Sequence, residues 1–126
     1  MRYVLQVTQP LYGGQGSALA LQLAQALLAN GHQLTQIFFY RDGVYHGNAF
    51  TYPANDEPNL LAQWQAFAQQ HQVRLNLCVA AAQRRGVVSP QSAVDGAQNN
   101  LADGFELAGL GEFSRAVLEA DRLITV

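Results

Sequence analysis

Short β-rich runs alternate with helix-forming segments along the whole chain, and that alternation constrains the fold more than any other feature. Residues 3–8 (YVLQVT), 34–40 (LTQIFFY), 74–79 (RLNLCV) and 122–126 (RLITV) read as strands, and 105–108 (FELA) as a brief one. Helical segments fall between them at 17–30, 57–70, 80–85 and 110–120. Ser17 stands as the N-cap of the first, and Asn30-Gly31 closes it. Asp56 and Glu57-Pro58 put acid at the positive end of the second, whose Leu60, Leu61, Trp64 and Phe67 recur at helical spacing. Residues 44–56 form a long connection, and 87–104 are polar and turn-rich, with no strong element expected there. Strand–helix–strand units cross over right-handedly. The expectation is therefore one α/β domain over residues 1–126. It has a mostly parallel sheet with helices on both faces, in flavodoxin- or Rossmann-like layers.

A chain of 126 residues is long enough for one real core. Hydrophobic residues make up 49% of it and charged residues 13%, the opposite of the balance that keeps a chain disordered. The charged share is about half the usual level. Part of the surface is therefore expected to be covered by a partner chain rather than by water. The net charge is −2, with seven Arg and no Lys. Without Lys there is no Schiff-base lysine, no P-loop lysine and no Lys-rich patch to neutralise phosphates, which argues against direct nucleic-acid binding. The opening MRYVLQV lacks the parts of a signal peptide, and no apolar run approaches a membrane span. A soluble, cytoplasmic protein is expected.

In an open parallel sheet, ligands bind outside the carboxyl ends of the strands. Those ends fall at residues 8–16, 40–47 and 78–82, and the third holds Cys78, the chain's one cysteine. A single cysteine excludes an intramolecular disulfide and a Cys-based zinc site. Along its strand Cys78 is in phase with Arg74 and Asn76, a more polar face than that of Val73, Leu75, Leu77 and Val79. The chain turns helical straight after it, so free backbone N–H groups face the sulfur and favour the thiolate needed for nucleophilic chemistry. Arg84 and Arg85 follow one to two turns on and add positive charge, or else are simply solvated. The plain alternative is that Cys78 is a small buried hydrophobe.

Other residues carry weaker signals. The Gly13-Gly14-Gln15-Gly16-Ser17 loop precedes a helix and could cradle an anion such as a flavin phosphate. It matches neither the dinucleotide fingerprint nor a P-loop, so a tight turn is the simpler reading. His32, His46 and His71 are scattered without metal-ligand spacing, and no metal or cofactor is expected. His46 follows a strand end and could approach Cys78 as a base, although an exposed loop histidine is the simpler reading. Tyr12, Tyr40, Tyr45 and Tyr52 gather at the strand-end loops, where they could line a pocket or a protein contact.

Four stretches together resemble the DsrE/TusD sulfur-relay family. They are TQPLYG at 8–13, FFYRDGV at 38–44, CVAAAQRRGV at 78–87 and GLGE at 109–112, and the cysteine segment is the most specific. The resemblance implies that Cys78 carries sulfane sulfur as a persulfide, with Arg84, Arg85 and Tyr12 as supporting residues. It also implies a TusA-like donor, a TusE/DsrC-like acceptor and TusB- and TusC-like sister subunits in a heterohexamer. The sulfur would end in 2-thiouridine at the tRNA wobble position or, in the DsrE branch, belong to dissimilatory sulfur oxidation. Complexes of this kind also hold non-catalytic scaffold chains, which is a further alternative.

Overall fold

The computed structural model of the protein describes residues 1–94 and 98–126. Residues 95–97, in the middle of the turn-rich 87–104 stretch, lie outside the described residues. The elements follow in the order β1 (Arg2–Val7), α1 (Gly16–Ala29), β2 (Gln33–Phe39), a 3-10 stretch (Arg41–Gly47), α2 (Leu60–His71), β3 (Leu75–Cys78), α3 (Val79–Arg84), β4 (Phe105–Ala108), α4 (Leu110–Glu119) and β5 (Arg122–Thr125). The five strands form one parallel sheet in the order β4-β3-β2-β1-β5.

This order decides which face each helix covers. From β1 to β4 the chain steps steadily toward one edge, and right-handed crossovers then put α1, α2 and α3 on one face. The link from β4 to β5 returns across the sheet to the other edge, so α4 lies on the opposite face. Side chains of β2 bear this out. Phe39 meets Trp64 of α2 at 5.4 Å between ring centres, while its neighbour Phe38 stacks on Phe113 of α4 at 4.4 Å. The two faces are covered unequally. Leu5, Ile37, Phe39, Trp64, Leu75 and Leu77 are fully buried, whereas α4 buries no residue completely.

Two glycines let the 3-10 stretch lie down on the strand ends. A Cβ on Gly43 would stand inside the Val7 carbonyl, and one on Gly47 inside the Leu77 side chain. The turn enters through Arg41, which holds the left-handed φ of +54° that few non-glycine residues adopt. That regular turn occupies what the sequence presents as an open connection.

Two helix starts differ from the sequence expectation. The N-cap of α1 is Gln15, and Ser17 lies within the first turn with its hydroxyl fully buried. Asn59, not the Asp56–Pro58 segment, caps α2, and its side chain accepts from the Ala62 N–H at 3.1 Å. Ser17 fails as a cap because its hydroxyl has partners inside the protein.

Candidate active site at the carboxyl end of β3

All four residues of β3, Leu-Asn-Leu-Cys, are buried. The alternation of faces is as expected, but the face shared by Asn76 and Cys78 is not the wetter one. Phe38 and Asn76 are register partners, so Asn76 and Cys78 look toward the α4 side and are 1% and 2% exposed. Periodicity separates the two faces of a strand but does not say whether a helix will cover the second.

Cys78 ends β3 and is the N-cap residue of α3, with φ −58° and ψ 119° and no hydrogen bond from its side chain to the helix. Its register partner on β4 is Ala108, and Gly109 then caps α4. Two strand-to-helix reversals therefore lie side by side at the sulfur.

The supporting residues are placed apart. Arg85 donates through Nε to Asp42 at 2.9 Å and through Nη1 to the Ala81 carbonyl at 3.1 Å. It ties the end of α3 to the 3-10 stretch after β2, which is a holding role. Arg84 is exposed in the last turn of α3. Tyr12 is exposed and, with Pro10, Leu11, Tyr45 and Thr51, walls a surface groove of about 320 Å³ that does not include Cys78. Desolvation and the neighbouring Glu57 carboxylate push its phenol above the ordinary tyrosine range. The Gly13–Ser17 loop is a compact turn, with Gly16 directly against the side chain of Gln9.

His46 differs from both sequence readings, being neither exposed nor a free base. It is fully buried, and both ring nitrogens are engaged. Nδ1–H donates to the Gly43 carbonyl at 2.8 Å, and Nε2 accepts from the Ser17 hydroxyl at 2.7 Å. Ser17 Oγ in turn accepts from the indole N–H of Trp64 at 3.0 Å. Burial lowers the His46 pKa to about 4, the Gly43 hydrogen bond opposing it. The ring is a neutral, fully satisfied pin joining α1, the 3-10 stretch and α2. A buried partner set like this has no signature in the spacing of Ser17, His46 and Trp64. Among the described residues, no group of three or more His, Cys, Asp or Glu side chains could hold a metal ion. Nor, among those residues, is any helix long and apolar enough to cross a membrane.

A parallel five-stranded sheet with one cysteine where a strand hands over to a helix defines a class of α/β proteins with a strand-end thiol. The model of the DsrE/DsrF-like family matches residues 1–126, and the chain belongs to that family. It is 64% identical over 124 residues to a Sulfurtransferase TusD homolog of Pasteurella multocida, covering 98% of each chain. It is 55% identical to a Sulfurtransferase TusD homolog of Haemophilus influenzae over the full length of both, and 53% identical to Sulfurtransferase TusD of Pectobacterium carotovorum over 98% of each. Among solved structures it resembles the ychN protein from E. coli, with a TM-score of 0.78, 25% identity and full coverage of both chains. A Methanobacterium thermoautotrophicum protein shares the fold at a TM-score of 0.70 and 16% identity, over 99% of this chain and 98% of that one.

Proposed function

We propose that this sulfurtransferase is the sulfur-carrying subunit of a sulfur relay, holding sulfane sulfur as a persulfide on Cys78. One conjunction carries the reading. Relatives similar over nearly the whole chain are named sulfurtransferases, and the chain has a single cysteine. A sulfur atom handed on through a cysteine has only one residue to use. The position of Cys78 at a strand's carboxyl end, between two helix starts, supports the same assignment.

The chemistry is thiol exchange. The Cys78 thiolate attacks the outer sulfur of a donor persulfide. A new S–S bond forms on Cys78, the donor's S–S bond breaks, and the donor leaves as its own thiolate. An acceptor thiolate then attacks the terminal sulfur, and Cys78 leaves as thiolate. The atom moves as sulfane sulfur in both steps, so no external oxidant or reductant is consumed.

In this reading the donor is a TusA-like carrier and the acceptor a TusE/DsrC-like protein. TusB- and TusC-like chains complete a cytoplasmic heterohexamer, and the sulfur ends in 2-thiouridine at the tRNA wobble position. A DsrE-type role in sulfur oxidation uses the same step with other partners. Arg84, exposed in the last turn of the helix that follows Cys78, is assigned to guiding partner chains rather than to the sulfur.

Burial favours a second reading, a scaffold chain with an inert thiol, because Cys78 is only 2% exposed. Intact mass measurement after exposure to a persulfide donor separates the two. A gain of one sulfur atom, reversed by reductant and absent in Cys78→Ser, is the expected result. No gain, with native Cys78 also unreactive toward a thiol reagent, leaves the scaffold reading.

A further inference from the structure

Asn76 is the least satisfied polar residue in the described core. Its side chain is 1% exposed, and neither Nδ2 nor Oδ1 has a hydrogen-bond partner. Leaving a buried amide unpaired forfeits its hydration with nothing in return. Its register partners offer nothing obvious, since Phe38 is apolar and the Glu106 side chain on β4 lies on the exposed edge of the face. An apolar residue of the same shape would fill the site at no such cost.

The neighbour along the strand gives the orphaned amide a use. Asn76 and Cys78 share one face of β3, two residues and roughly 6.6 Å apart along the strand. The free thiol makes no hydrogen bond with the amide. A persulfide extends the side chain by one S–S bond of about 2.05 Å, which can carry its terminal sulfur toward the amide. A carboxamide suits both protonation states of that sulfur, since Nδ2–H donates to –S–S⁻ and Oδ1 accepts from –S–S–H.

We infer that Asn76 is the second half of the sulfur site, its buried carboxamide holding the terminal sulfur of a persulfide on Cys78. The inference rests on the persulfide reading above. It gives the empty site an energetic logic: the unloaded protein carries an unpaired amide, and arriving sulfur satisfies it. Loading is therefore stabilised relative to a simple exposed persulfide, and release to an acceptor returns the strain.

The test uses the full chain, inorganic polysulfide as the sulfur source, and Asn76→Leu beside wild type, with Cys78→Ser as the blank. Two quantities are read: the rate at which the loaded protein sheds its sulfur, followed by intact mass, and the Tm of the unloaded protein. We expect Asn76→Leu to shed sulfur at least about ten-fold faster, the scale of a lost hydrogen bond to a charged group. Its unloaded Tm should equal or exceed that of wild type, which no structural role for Asn76 would allow. Asn76→Ala, which cannot clash with α4, should show the same fast loss. Wild-type retention in folded Asn76→Leu and Asn76→Ala overturns the inference and leaves the persulfide reading standing. Failure of both variants to fold overturns it in favour of a structural role. Wild type that takes up no sulfur overturns both readings.

Discussion

At His46 a neutral ring is fixed in one tautomer by three neighbours, and the pinned ring makes stability depend on pH. Its native pKa is about 4 against an ordinary 6.5. The unfolded chain takes up a proton near pH 6.5 that the native ring refuses until about pH 4. Stability is therefore fully present above about 6.5 and falls as the pH drops through that window, by up to about 3 kcal/mol. Asp121 accepts from the Arg2 N–H at 2.7 Å, and that bond holds its carboxyl below the ordinary range, so its contribution is lost only at still lower pH. Denaturant midpoints measured between pH 7 and pH 4 should fall accordingly. His46→Gln should flatten the slope within that window, and an unchanged slope would refute the assignment. The three residues of this pin are far apart in sequence, at 17, 46 and 64, and each has an innocent local role: a cap, a loop histidine, a core tryptophan. Only their meeting in space reveals the shared hydroxyl. Cys78 was different, because a lone cysteine at the end of a β-rich run can be located by composition and pattern alone.

At the scale of elements, the 3-10 stretch Arg41–Gly47 does the most to shape the strand-end surface. It closes over β1 and β3 through Gly43 and Gly47, supplies the Gly43 carbonyl to His46, and presents Asp42 to Arg85. Gly43→Ala would push a methyl group into the Val7 carbonyl, where backbone cannot yield cheaply. We expect a loss of about 1–3 kcal/mol, read as a lower Tm, together with a weaker hold on α3. A variant as stable as wild type would show that the stretch can lift away freely. The strands were legible to within a residue or two because β-branched and aromatic runs bounded by turn residues are local signals. Phe105–Ala108 was recovered with its full bounds. Helix starts were less legible. At α1, Gln15 caps where Ser17 has the better local credentials, because the buried partners of the Ser17 hydroxyl outbid a capping preference worth about 1 kcal/mol. At α2, Asn59 is itself a favoured cap residue and lies just beyond the acidic Asp56–Pro58 segment.

For the whole molecule, the unequal covering of the sheet is the main consequence. Among the described residues one face carries three helices and the other α4 alone, and Leu110 and Leu118 of α4 and Leu123 of β5 are exposed. Together with a charged share of only 13%, this leaves little to keep copies apart. We expect the chain expressed alone to sediment above its monomer mass at high concentration. A monodisperse monomer there would count against a covered surface. Addition of sister chains should displace the self-association rather than add to it.

The sequence by itself determined the class of fold, the parallel sheet and the identity of the thiol. Those follow from periodicity, turn chemistry and the count of one cysteine, all of which are local or compositional. Tertiary structure decided that α4 would lie on the Cys78 face of the sheet, because β4 to β5 is a long-range crossover and no local pattern records which strand a helix will cross. It also decided that His46 would be a pin rather than a base, and that Asn76 would be buried without a partner. Hydrogen-bond satisfaction is a property of neighbours in space, and a linear sequence does not state which neighbours those are.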